Sequence, residues 1–346
     1  MLRQNFTIAS GRPVKANTRT AQRLRPHKIW DDDGVASTVG TIMAMMVFLA
    51  ALSMFTSQYV PVWMEENEAS HMSAAYGQFA ALKQAVDMQI LAGTIQGSSP
   101  VQMFSPVKLG AEGIPMFAAP TPGYLSVYRS DSYNNVSFSF NTSAAVLNHT
   151  ANAGGTIKLY VPNRYFIPQT LAYEGDTLIL KQSDGEYMKA MPQFIVTRIG
   201  LDSYTISYTQ VDLRGDDSNY VGFGTRGIQT TLRAVTTTTF NNLTDEIGPG
   251  NPAKNPYLYF NQTTWYERAW NSSFNQTLSA AGMVYGTPAQ LAAGTVDYTI
   301  VSTLRPNNDP IDDFYEVSVR INPNVVSRFT LTVAYVEVST AEMGAA

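Results

Sequence analysis

Apolar and polar positions divide the chain into three regimes. Residues 34–63 carry no Lys, Arg, Asp, Glu or His, a run of 30 uncharged positions. About 20 apolar residues suffice to cross the hydrocarbon core of a bilayer as a helix. The run, VASTVGTIMAMMVFLAALSMFTSQYVPVW after Gly34, is apolar all round. From Met64 the pattern turns amphipathic while keeping a helical period. Met72, Ala75, Tyr76, Phe79, Leu82, Val86 and Ile90 fall three or four apart, which predicts one apolar stripe along a helix. A transmembrane helix over 34–63 and an amphipathic stalk helix over 64–92 are therefore expected. Pro61 removes one backbone hydrogen bond and crowds the preceding turn, so a kink is expected there. Tyr59 and Trp63 favour the headgroup level. They place the outer membrane interface near 59–63 and leave Glu65, Glu66 and Glu68 in water.

The third regime begins where the helical period fails, at a linker of Gly93, Gly97, Ser98, Ser99 and Pro100. Beyond it the period shortens to two. Strands are predicted over 124–128, 136–140, 156–161, 177–181, 193–198, 204–211, 229–238, 257–260, 296–304, 314–321 and 328–338. Turn-rich breaks such as SDGE, GDDSN and GPGNP separate them. One helix interrupts over 265–281, with Tyr266, Trp270, Phe274 and Leu278 four apart and Gly282 at its end. A short one is expected at 288–293. The fold class is thus a long N-terminal α-helix, transmembrane plus stalk, followed by a mostly-β, β-sandwich-like ectodomain over 100–340.

Charge orients this arrangement. Residues 1–30 contain seven basic and no acidic side chains, a net of +7, against −11 for the remainder. A basic flank directly before a span stays cytoplasmic. Residues 1–33 are therefore read as a cytoplasmic leader and the β-domain as extracellular, at the cell surface. A nucleic-acid-binding arm is the weaker reading, because the basic segment abuts an apolar one. The chain has no cysteine, which removes thiolate chemistry and disulfide staples and leaves the exterior part to an ordinary apolar core.

The order of basic leader, acidic patch with a small residue, uncharged span and amphipathic helix resembles an archaeal type IV pilin or archaellin precursor. Asp31, Asp32, Asp33 and Gly34 followed by Val35, Ala36, Ser37, Thr38, Val39 and Gly40 carry the resemblance, over roughly residues 20–90. It implies a class III signal peptide cut by a leader peptidase between Gly34 and Val35. It also implies a pilus assembly machinery as partner. An uncleaved single-span anchor is the other reading, favoured by Asp33 where such leaders carry Lys or Arg. The stripe of Met72, Phe79 and Val86 has two readings as well: packing on the chain's own globular domain, or packing between subunits in a filament core.

Candidate chemistry is sparse. Asn-X-Ser/Thr sequons occur at Asn135, Asn141, Asn148, Asn242, Asn261, Asn271 and Asn275 on the expected exterior. Two acidic loops, Asp212, Asp216, Asp217 and Asp309, Asp312, Asp313, are weak calcium candidates against a reading as solvated turns. His27, His71 and His149 form no zinc pair, and no nucleophile or phosphate-loop motif occurs. No cofactor, no metal, no nucleic acid and no catalysis are expected. The expected function is that of a structural filament subunit. Val47, Phe48, Leu52, Phe55 and Pro61 would lie on its assembly helix, and its partners would be copies of itself or the lipid bilayer. The alternative is a monomeric, singly anchored surface protein whose β-domain binds a ligand or partner.

Overall fold

A computed structural model of the chain describes residues 32–96, 101–129, 134–141, 146–241, 257–305 and 314–342. It divides into two compact units, Met1–Ser53 and Met54–Ala346. A long apolar helix near the N-terminus precedes a mostly-β domain.

Helix α1, Asp32–Met54, is built from strong helix formers (Ala, Met, Leu), with Gly40 as its one interior glycine after Val35 and no proline. The hydroxyl of Thr41 donates to the Thr38 carbonyl at 2.9 Å. That local bond satisfies a polar group without water, as an apolar surrounding requires.

The second unit opens with a π-turn, Phe55–Tyr59, followed by helix α2, Val60–Gln96. The expected kink at Pro61 takes this form. The Val60 N–H reaches back to the Phe55 carbonyl, five residues away, and the widened turn accommodates a ring that would crowd an α-helical one. Helix α2 also runs past Gly93, where a break was expected. A Cβ on Gly93 would meet the Leu232 side chain at 2.6 Å, so the glycine serves close packing there.

Among the described residues, sixteen strands form three sheets. The central sheet contains β1 (Gln102–Lys108), β9 (Phe194–Arg198), β10 (Tyr204–Gly215), β12 (Thr225–Asn241) and β16 (Val326–Glu342), in the order β1-β12-β16-β10-β9. Only its β10–β16 pair is parallel. A second, antiparallel sheet contains β2 (Gly123–Tyr128), β5 (Thr156–Val161), β6 (Gln169–Glu174), β7 (Thr177–Gln182), β8 (Gly185–Ala190) and β11 (Ser218–Gly222), ordered β11-β2-β5-β6-β7-β8. The third contains β3 (Asn134–Asn141), β4 (Val146–Ala153), β13 (Leu258–Thr264), β14 (Tyr298–Arg305) and β15 (Phe314–Ile321), ordered β14-β15-β13-β3-β4. Helices α3, Glu267–Ala280, and α4, Pro288–Ala292, follow β13. Gly282 adopts φ +90° just past α3, the left-handed residue that commonly ends a helix.

Two strands of the central sheet, β16 and β10, each serve two cores on opposite faces. In β16, Phe329, Leu331 and Val333 join a core with α3 and the third sheet. Ala334, Val336 and Val338 join a core with α2 and the second sheet. The change from odd to even positions places the two sets on opposite faces. In β10, Tyr204, Ile206 and Tyr208 belong to the first core, and Val211 and Leu213 to the second. A bulge at Arg233 keeps β12 in step: Leu232 pairs with Val336 and Ala234 with Tyr335. The first core is aromatic, with Phe194, Tyr208, Phe260, Phe274 and Phe329 meeting edge to face.

Candidate functional site

The surface of α1 is the first feature that demands a function. Among its described side chains, Ile42, Met43, Met46, Val47, Phe48 and Leu49 are all at least half exposed, Val47 at 70%. Leu52 and Phe55 are half-buried. No side chain in the most apolar stretch of the helix is buried by its own chain. Gly34 and Val35 lie within the first residues of α1, where backbone N–H groups lack intrahelical partners and the helix opens most readily.

Helix α2 behaves differently. Met72, Phe79 and Val86 are at most 3% exposed, in contact with the second and central sheets. Their face is occupied by the chain's own β-domain. The reading in which these three residues pack between subunits is therefore corrected; the period of the stripe was right, and its partner is intramolecular.

Polar side chains interleave with that stripe and fasten the helix to the domain. Glu68, placed in water by the sequence, is fully buried. One carboxylate oxygen accepts from the Thr121 hydroxyl at 2.6 Å and the Arg164 N–H at 3.1 Å. The other accepts from the Tyr165 and Phe166 N–H groups at 2.8 and 2.7 Å. Burial works to raise the Glu68 pKa, but these donors outweigh it and hold the carboxyl below its ordinary value. His71 bonds through Nε2 to the Lys108 carbonyl at 3.0 Å, which fixes the proton on Nε2. Burial lowers its pKa, so the neutral form is favoured. Gln89 donates to the carbonyls of Val101 and Thr230 at 2.8 and 2.9 Å.

Between these anchors sits the tip of the β6–β7 hairpin, turned inward. Gly175 and Asp176 have φ of +54° and +65°, the left-handed pair of a tight hairpin turn. Glu174 accepts from Trp270 Nε1 at 2.9 Å, Thr156 Oγ1 at 3.0 Å and Gln262 Nε2 at 3.2 Å. Burial raises its pKa against these bonds. Asp176 accepts from Lys83 Nζ at 3.0 Å, and the same ammonium holds Asp87. Burial and the neighbouring Asp87 push Asp176 up to about 7, against the pull of Lys83. The two hairpin carboxylates face different partners and are sealed from solvent, an arrangement that joins α2, α3 and the sheets and exposes no acid or base to a substrate.

The remaining sequence candidates are dispersed. Asp212 is held by Arg214 at 2.8 Å, and Asp217 accepts from the Arg129 N–H at 2.8 Å. Asp216 is exposed. Asp309, Asp312 and Asp313 lie outside the described residues, as does Asn242. Asn135, Asn141 and Asn148 lie on β3 and β4, where the backbone alone is described. Asn261 sits on central strand β13, half-buried. Asn271 and Asn275 lie on α3; Asn275 is exposed and its Oδ1 accepts from the Tyr298 hydroxyl at 2.7 Å. An open groove of about 530 Å³ lies between α2 and edge strand β1, lined by residues such as Ala74, Gly77, Ala81, Ala85 and Phe104. Its lining contains no titratable side chain, which suits apolar contact.

The chain matches no family model, no curated protein and no solved structure. The functional reading therefore rests on two features of its own geometry: an apolar helix with most of its large side chains at least half exposed, and a following helix clamped into a β-domain by buried polar bonds.

Proposed function

We propose that the chain is a structural subunit of an extracellular type IV pilus-like filament. In this reading the basic leader stays cytoplasmic and α1 holds the precursor in the bilayer. After a cut between Gly34 and Val35, α1 packs with copies of itself. The β-domain, whose faced sheets we read as sandwich-like and glycosylated, forms the outer sheath and serves adhesion or surface contact. The observation that carries the reading is the exposure of Val47 and Phe48, 70% and 64%, on a helix of this apolarity. Burying each such side chain is worth about 1.5–3 kcal/mol, so lipid or neighbouring helices must cover them.

The anchors of α2 support the same reading. Glu68, Lys83 and Gln89 bond to three separate parts of the domain, so a pull on the helix is shared among several buried bonds. A permanent single-span anchor would use the same features, and the two readings part at the N-terminus. Mass spectrometry of the protein isolated from cell surfaces is expected to find Val35 as first residue, in filaments visible by electron microscopy. An intact leader in surface material would overturn the filament reading in favour of the anchor.

A further inference from the structure

Residues 113–128, GIPMFAAPTPGYLSVY, are uncharged, and tertiary structure brings this stretch to the base of α2. Ala111 pairs with Thr121 and Ile114 with Ala118, so the chain doubles back over a narrow tip. The N–H groups of Phe117 and Ala118 both donate to the Ile114 carbonyl, at 3.1 and 2.9 Å. Gly113 permits this closure, since a Cβ there would lie 2.3 Å from the Ala118 carbonyl oxygen. Met116, at the tip, has φ +68° and is completely exposed. Left-handed backbone is uncommon for a residue of this kind, and it is spent on holding an apolar side chain in the open.

The tip is not isolated. The Phe117 ring meets Phe55 at 5.2 Å between centroids, edge to face. Phe55 in turn lies 6.0 Å from Tyr59 and 5.5 Å from Trp63. Tyr59, Val62 and Trp63 are 50%, 60% and 45% exposed. These helix residues are the last of the uncharged run that ends at Trp63, so the ring contact fixes the loop at the level where that run gives way to Glu65 and Glu66.

We propose that Met116 and Phe117, with Tyr59, Val62 and Trp63, form a membrane-surface foothold that docks the β-domain on the outer leaflet of the bilayer. The proposal deepens the reading of the apolar helix as a bilayer span and rests on it. Tyr and Trp favour the headgroup layer, and Met and Phe gain by entering the acyl boundary beneath it. The patch carries no charge to desolvate. In water the exposed tip leaves apolar surface uncovered, and a lipid surface continuous with the span covers it without another protein.

The chain has no cysteine, so single-cysteine variants of the full chain give unique labelling sites. Met116→Cys, Val47→Cys and Leu201→Cys each carry an environment-sensitive fluorophore in phosphatidylcholine vesicles containing nitroxide-labelled lipid. Leu201 is 85% exposed on the β-domain and serves as the aqueous reference; far-ultraviolet circular dichroism checks the fold of each variant. The expected result is loss of emission at Met116 to a shallow nitroxide, loss at Val47 to a deep one, and loss at Leu201 to neither. Quenching at Val47 with none at Met116 overturns the foothold and leaves the span standing. Quenching at neither overturns the span and the foothold with it. A blue shift at Met116 that grows with protein concentration, without lipid quenching, assigns the patch to a second copy and overturns the lipid proposal.

Discussion

Lys83 places its ammonium 3.0 Å from Asp176, across 93 residues of chain, and the same nitrogen lies 3.0 Å from Asp87 one turn along its own helix. One cation thus stands between a buried carboxylate, Asp176, and a partly exposed one, Asp87. Gln193 joins them, its side chain donating to Asp87 at 3.2 Å and its backbone N–H to Asp176 at 3.3 Å. Removing the cation leaves two acids without a counter-charge. Lys83→Met is expected to cost about 3–5 kcal/mol, the scale for breaking one side of a buried pair. Urea denaturation followed by circular dichroism measures it. A loss within about 0.5 kcal/mol, typical of a surface change, would show that the cluster does not hold α2 in place.

The same cluster gives the domain a specific pH response. Asp176 is raised from 3.8 to about 7, chiefly by burial. Its folded form therefore binds a proton that the unfolded chain has released. The contribution to stability is full below pH 3.8 and declines as pH rises toward 7. The groups facing it are Lys83 and Asp87 from α2, Gln193 before β9, and the tyrosines Tyr173 and Tyr208, both raised by burial and by this carboxylate. Asp176→Asn should flatten the decline between pH 4 and 7. Thermal melts of both proteins across that window test it; equal slopes would refute the assignment.

Glu68 acts with the opposite sign. Its pKa is lowered below the ordinary 4.5, so its contribution is present above pH 4.5 and is lost as pH falls through the folded value. Glu68→Gln replaces one acceptor oxygen with a donor facing N–H groups. Charged hydrogen bonds are worth about 1.5–3 kcal/mol each, so a loss of about 3 kcal/mol is expected at neutral pH. The difference from the parent chain should shrink below pH 4.5, as read from denaturation midpoints.

Two phenylalanines separate folding from assembly. Phe79 is fully buried, and Phe79→Ala should destabilise the β-domain by about 3–5 kcal/mol. Phe48 is 64% exposed; Phe48→Ala should leave the melting of the domain unchanged in detergent and weaken association of the helix. Sedimentation of surface material reports the second effect. A stability loss at Phe48 equal to that at Phe79 would mean that its own chain covers it.

Among the described sequons, exposure ranks Asn275 above Asn261. The glycan attaches to the amide nitrogen, and the Asn275 oxygen keeps its bond from Tyr298. Asn261 lies on β13 between β15 and β3. Glycopeptide mass spectrometry is expected to find Asn275 occupied and Asn261 bare; the reverse pattern would contradict the register of that strand.

Much of the fold was legible because its signals are local. Strands over 156–161 and 314–321 were read to the residue from their alternation, and α3 ended where Gly282 required it. Five strands were missed. Strand β1 contains Pro106, which argues against a paired strand; it is an edge strand, where proline is admitted. Strand β11 is a five-residue edge strand, too short for a pattern to declare itself. Strands β4, β6 and β8 show weak alternation, and each is set by a hairpin with the strand just before it. The anchors of α2 were missed for a related reason. Glu68, Lys83 and Gln89 stand three or four residues from the apolar stripe, and that spacing was the available sign that they share its buried face.

By itself the sequence determined the apolar helix, the basic charge of residues 1–30 and the alternation of a β-domain. Each depends only on neighbours along the chain, where the spacing of side chains sets which face they share. Tertiary structure alone decided that the stripe of Met72, Phe79 and Val86 belongs to the chain's own core, that Lys83 meets Asp176, and that the Phe117 loop reaches Phe55. Those pairings join residues from tens to more than two hundred positions apart. The physical reason is that a buried face states only its need to be covered; which surface covers it depends on how the sheets close, and no local pattern records that.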